Sequence, residues 1–201
     1  VYGMNDVTHL GFQDIPMLSN IPNLVYLAPT TKEEYIAMLD WSIEQNEHPV
    51  AIKLPGGAMV SGRPVTKNFG DLNKYEVTQK GSKVALLGLG TFYSLANAVA
   101  DEMKSELGID ATVINPYYIT GLDEELLESL KADHSVVVTI EDGILDGGFG
   151  EKIARFYGDS DMKVLNYGLK KEFLDRYDVE EVLKDNRLDA EMIAEDVKGL
   201  L

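Results

Sequence analysis

Short apolar runs alternate along this chain with longer segments in which apolar residues recur every three or four positions. The alternation predicts a parallel sheet covered by helices, because a strand buried on both faces needs a continuous apolar run, whereas a helix packed on one side needs only a stripe. Leu24 to Ala28 reads as a strand. Thr30 or Thr31 then caps a helix whose Tyr35, Met38, Leu39, Trp41, Ser42 and Ile43 point inward, with Glu33 or Glu34 completing a capping box. Val50 to Leu54 is the next strand, and Pro55-Gly56-Gly57 ends it. Residues 57–72, rich in glycine, proline and polar types, hold no period and read as a linker.

A second unit repeats the alternation. Val84 to Leu89 is a strand and Gly90-Thr91 a turn. Leu95, Ala96, Val99, Ala100, Met103 and Leu107 form a helix stripe closed by Gly108. Ala111 to Ile114 is a strand, Leu122 to Leu130 a short helix, and Val136 to Ile140 an apolar central strand. A glycine-rich loop, Glu141 to Gly150, precedes a helix near Glu151 to Tyr157; a strand at Lys163 to Tyr167 and two small helices close the chain. The expected organisation is residues 1–56, a linker at 57–72, and an α/β domain at 73–201 with a mainly parallel sheet of about five strands.

Composition narrows the chemistry. The 201 residues suffice for one large or two small domains with a real core. The absence of cysteine excludes a disulfide framework, a thiolate metal site and a cysteine nucleophile. No apolar run approaches the roughly 20 residues of a membrane helix. With 18 basic and 34 acidic side chains the formal charge is −16, which disfavours nucleic acid and anionic membrane surfaces as partners. Most acids fall on helix faces that read as solvated. A cytoplasmic protein is expected.

The polar run Asn5-Asp6-Val7-Thr8-His9-Leu10-Gly11, with Asp14 beyond it, looks like an active-site loop at the end of a strand. The strand that should carry it is not in the sequence, and residue 1 is Val, so the chain is expected to be the C-terminal piece of a longer enzyme.

Read in order, Thr8-His9-Leu10-Gly11, Ile21-Pro22-Asn23-Leu24, Ala28-Pro29-Thr30, His48-Pro49-Val50-Ala51-Ile52-Lys53-Leu54-Pro55, Glu141-Asp142-Gly143 with Gly147-Gly148-Phe149-Gly150, and Gly168 with Glu172-Phe173 span nearly the whole chain. Together they resemble the 1-deoxy-D-xylulose-5-phosphate synthases of the transketolase superfamily, which use thiamine diphosphate and Mg2+. The resemblance implies the end of a parallel-sheet pyrimidine-binding domain in residues 1–56 and a transketolase C-terminal-type domain in 73–201. It implies a homodimer that transfers two-carbon units, condensing pyruvate with glyceraldehyde 3-phosphate to feed isoprenoid and thiamine synthesis. The diphosphate and Mg2+ sites then belong upstream, so this piece by itself is expected to bind no cofactor and to be inactive.

The resemblance also assigns residues. His9 is the catalytic candidate, since an imidazole exchanges protons near neutral pH. Asn5 stands where the family usually carries an aspartate that contacts the sugar; either the role moves to Asp6 or the substrate differs, and both residues also suit capping of the loop backbone. Lys53 replaces a phosphate-gripping arginine, keeping the charge and losing the bidentate fork. Gly56 replaces a second arginine. The acidic glycine loop fits no phosphate motif and is expected to serve helix–sheet packing. Two alternatives remain: a transketolase with a sugar donor, and a non-catalytic subunit or interaction module that dimerises through the glycine-loop domain.

Overall fold

The structure, a computed structural model, describes residues 10–55, 58–62 and 64–201. Asn5, Asp6, His9 and Gly56 lie outside the described residues. A 3-10 turn at Gly11–Gln13 leads into the short helix α1 (Asp14–Leu18). Strand β1 (Val25–Leu27), helix α2 (Lys32–Glu44) and strand β2 (Val50–Ile52) follow, the two strands pairing in parallel. The remainder is β3 (Glu76–Gln79), β4 (Lys83–Gly88), α3 (Tyr93–Leu107), β5 (Thr112–Asn115), α4 (Glu124–Leu130), β6 (His134–Ile144), α5 (Phe149–Tyr157), β7 (Lys163–Leu169), α6 (Val179–Asp185) and α7 (Ala190–Lys198).

The five-stranded sheet runs in the order β3-β5-β4-β6-β7 and is parallel except for β3, which pairs antiparallel with β5. Side chains alternate across it with period two. Val84, Leu86, Val136 and Val138 face α3 and α7, whereas Ala85, Leu87 and Val137 face Phe149, Ile153 and Tyr157 of α5. The buried positions of β4 from Val84 to Leu87, and Val136, Val137, Val138 and Ile140 of β6, are apolar because both faces are covered; Thr139 and Glu141 are the buried polar residues of β6.

The N-terminal unit is joined to this second core face. Ile15, Val25, Tyr26, Leu27 and Met38 share one cluster with Leu87, Ile114 and Phe149. The chain leaving β5 pairs with β1 edge to edge: Ala28 N donates to Tyr117 O at 2.8 Å, and Ile119 N donates to Tyr26 O at 2.7 Å. Residues 58–72, where described, carry no helix or strand. They are nevertheless anchored, since Phe69 is buried and its carbonyl accepts from the Tyr118 hydroxyl at 2.9 Å.

Four helix starts carry the expected chemistry. The side chains of Thr31, Asp123, Asp178 and Asp189 each accept from the backbone N–H three residues on. Gly108 ends α3 in the left-handed region at φ 66°.

Three expectations need correction. Ile43, expected inward, is 72% exposed, because α2 buries Glu34 and Met38 and the stripe continues through half-buried Trp41, leaving Ile36 and Ile43 on the far side. The central strand does not stop at Ile140 but continues as β6 to Ile144, through a register irregularity opposite β7. The edge strand β3 was not legible, because Glu76-Val77-Thr78-Gln79 is too polar and short to stand out without its partner β5.

Candidate functional site

The ends of β1 and β2, together with the chain after β4 and the extension of β6, converge on one spot. The cleft there is lined by Ile15, Ala28, Lys53, Leu89 and Asp142, among others. Such a convergence of parallel strand ends is where α/β folds place ligands. Lys53 follows β2 directly, and its backbone N–H donates to Leu27 O at 2.8 Å, carrying the parallel pairing one residue further.

The Lys53 side chain is only 12% exposed. Its Nζ donates to Gly11 O at 2.9 Å and lies 3.7 Å from Asp14 Oδ2. A Cβ at Gly11 would meet the Asp14 carboxylate, which would have to swing away from Lys53. Lys53 thus ties the 3-10 turn that begins at Gly11 to the end of β2. The turn is pressed from the other side by β6: a Cβ on Gly143 would sit 3.1 Å from Ile15 Cδ1 and 3.3 Å from Phe12 O. Burial first, and then the charges of Asp14 and Asp142, push the Tyr26 phenol well above its ordinary range.

The cleft itself measures about 10 Å³. That is room for one water at most. Among the described residues Lys53 therefore meets protein oxygens rather than a phosphate-sized opening. The structure brings Lys53 and Asp14 together at the loop base, and His9 stands two positions before Gly11 in the sequence. The other histidines are placed away from this cleft: His134 contacts Thr112 Oγ1 at 2.8 Å and Leu130 O at 3.2 Å, a structural role, and His48 is half-buried beside β2.

The glycine loop yields what the sequence did not show. Glu141 is fully buried, and its carboxylate accepts from Phe149 N at 2.8 Å and Gly150 N at 2.7 Å. The amides that a phosphate would need at the start of α5 are thus occupied by the protein's own carboxylate. Gly148 and Gly150 leave no space for a Cβ, which would lie 2.6 Å from Glu141 Oε2 and 2.5 Å from Thr139 Oγ1 respectively. Burial pushes Glu141 up to about 7, against the two backbone hydrogen bonds that lower it. Lys152, whose Nζ donates to Ile119 O at 2.9 Å, is brought down to about 8 by burial. Among the described residues no three His, Cys, Asp or Glu side chains group to hold a metal ion, and no helix is long and apolar enough to cross a membrane.

Residues 73–193 match the family described as transketolase, C-terminal domain. The 1-deoxy-D-xylulose-5-phosphate synthase of Clostridium tetani is 33% identical over 201 residues, covering 99% of this chain and 32% of that protein. The enzymes of the same name from Clostridium acetobutylicum and Crocosphaera subtropica are each 34% identical, over 96% and 100% of this chain and 31% and 32% of theirs. The chain thus spans about a third of the length of these relatives. A solved structure of a split gene transketolase, an inactive beta4 tetramer, shares the fold with TM-score 0.76 at 24% identity, covering 96% of this chain and 62% of that one.

Proposed function

The chain belongs to the transketolase family, its residues 73–193 being that family's C-terminal domain, and on that premise we propose that it is the C-terminal part of a 1-deoxy-D-xylulose-5-phosphate synthase-like transketolase. The observation that carries the reading is the match, at about a third identity, of essentially the whole chain to synthases three times its length. In the whole enzyme, a cytoplasmic homodimer, pyruvate is condensed with glyceraldehyde 3-phosphate.

Within this scheme residues 1–56 are the end of the pyrimidine-binding domain and 57–72 the link to the domain at 73–201. His9 exchanges a proton with the reacting substrate. Asn5 or Asp6 bonds a sugar hydroxyl. Lys53 is assigned the acceptor phosphate on its place in the resembled pattern alone; in this structure its ammonium is engaged by Gly11 O and Asp14. Thiamine diphosphate supplies the electron sink in such enzymes. The resemblance assigns the cofactor and its Mg2+ to the part of the enzyme upstream of these residues.

Assay with pyruvate, glyceraldehyde 3-phosphate, thiamine diphosphate and Mg2+ tests the scheme. The chain alone is expected to show no turnover, and the same chain continuous with its upstream reading frame is expected to form 1-deoxyxylulose 5-phosphate. Turnover by the 201 residues alone would overturn the C-terminal-part reading. Lysine at position 53 and glycine at 56, where the synthases carry arginines, bear on the acceptor and its phosphate. The second reading is a transketolase with a sugar donor; use of a ketose but not pyruvate would select it.

A further inference from the structure

A cavity of about 670 Å³ lies between the start of α2, Gly62 together with residues 64–67, and the β3 edge of the large sheet. It shares no lining residue with the cleft at Lys53. Its size is that of a small-molecule site.

Its lining is more elaborate than packing requires. The Glu34 carboxylate, 8% exposed, accepts from Thr30 N at 2.6 Å and Thr30 Oγ1 at 2.9 Å through Oε2, and from Asn115 Nδ2 at 3.2 Å through Oε1. A capping glutamate ordinarily sits in solvent; this one is drawn inward by an asparagine 81 positions away. Burial pushes its carboxyl up. Tyr117 adopts φ 59°, a conformation rare for a bulky residue, and its hydroxyl donates to Glu76. Lys67 Nζ stands 5.1 Å from the centre of the Tyr117 ring, and burial lowers its proton affinity. Tyr93 also lines the wall, its hydroxyl donating to Thr78 Oγ1 at 2.8 Å.

Charge and chemistry restrict the ligand. Among the described residues the wall carries two carboxylates, Glu34 and Glu76, in a chain of net charge −16, which opposes a phosphate or carboxylate ligand. The Lys67 ammonium opposes a cation. Oxygen acceptors, hydroxyls, an ammonium donor and tyrosine rings in one wall suit a molecule with many hydroxyls and an apolar ring face. An adjoining, mainly apolar cavity of about 490 Å³, lined by Met59 and Val60, shares Thr30, Thr31 and Tyr93 with it, borders the Lys53 cleft at Pro55 and Thr91, and leaves room for a non-polar substituent. We propose that this cavity is a second ligand site, separate from the Lys53 loop, that takes an uncharged polyhydroxylated molecule of the sugar or glycoside class.

The test is titration of the whole chain with D-glucose, D-ribose and a methyl glycoside, against glucose 6-phosphate and putrescine, read from backbone amide shifts. Neutral sugars should saturate in the millimolar range and move the amides of Thr30 to Glu34 and Asn115 to Tyr117. Lys67→Met and Tyr93→Phe should each weaken the effect by about tenfold, the loss of one hydrogen bond, while dispersion elsewhere is unchanged. Absence of saturable shifts with every neutral sugar at about 50 mM would overturn the proposal. So would tighter binding of glucose 6-phosphate or putrescine at the same amides, or wild-type affinity in both variants. Because the readout is binding to this chain, failure here leaves the reading of the loop site untouched.

Discussion

Replacing Glu141 by glutamine separates two opposing effects on one buried carboxyl. Two backbone N–H groups favour its charged form, and burial disfavours it; burial prevails, and the folded-state value is raised from 4.5 to about 7. A carboxyl whose folded value is raised binds its proton more tightly in the folded chain. It therefore contributes fully to stability at pH below the unfolded value, and that contribution falls away as pH rises to about 7. At about 1.4 kcal/mol per tenfold change in proton affinity, the loss is on the order of 3 kcal/mol, most of it between pH 5 and pH 8. Glutamine cannot ionise, so Glu141→Gln is stable to the same degree across that range as far as this position is concerned. Titrating groups remote from Glu141 cancel in the difference between the two proteins, whereas Lys152, whose proton affinity the Glu141 charge holds up, falls further in the variant and adds to its gain at the higher pH. Urea unfolding of both at pH 5 and pH 8 should show the variant gaining on the wild type by roughly 2 to 3 kcal/mol at the higher pH. A pH-independent difference, or a wild type that gains as pH rises, would mean that the α5 amides outweigh burial and that the carboxylate is held charged.

Further outcomes follow from the same structure. Asp123→Ala should cost about 2 to 4 kcal/mol in urea unfolding, because Asp123 caps α4 at Leu126 N and accepts from the buried Tyr75 N at 3.0 Å; a cost under about 1 kcal/mol would contradict that dual role. Gly150→Ala should lower stability by about 1 to 3 kcal/mol through overpacking against Thr139 and Asn166. Gly158→Ala, whose nearest contact would be at 3.4 Å, should stay within about 0.5 kcal/mol, and equal effects at the two sites would refute the packing argument. In the intact enzyme His9→Ala should reduce kcat by about a hundredfold or more, and an unchanged kcat would remove His9 from the chemistry. Lys53→Ala should mainly raise KM for the phosphorylated acceptor, and unchanged constants would confine Lys53 to anchoring the loop base.

The part of the architecture that depends on local periodicity was legible in the chain alone. The apolar runs at 84–89, 111–114, 136–140 and 163–167 became β4 to β7, and the stripe from Leu95 to Leu107, with Gly108, became α3 and its left-handed end. The ordered motifs likewise pointed to the transketolase family. These signals survive without tertiary context because alternation, stripes and caps are properties of neighbouring residues. Only the folded chain decided the rest. β3 exists because β5 offers it an edge, and β6 runs on to Ile144 because β7 pairs with it there. Lys53 reaches the carbonyl of Gly11 across 42 positions of sequence, Glu34 meets Asn115 across 81, and Glu141 fills the amides of a helix that begins eight residues later. In each case the partner of a polar group is chosen by what burial leaves within hydrogen-bond reach, and no local pattern encodes that choice.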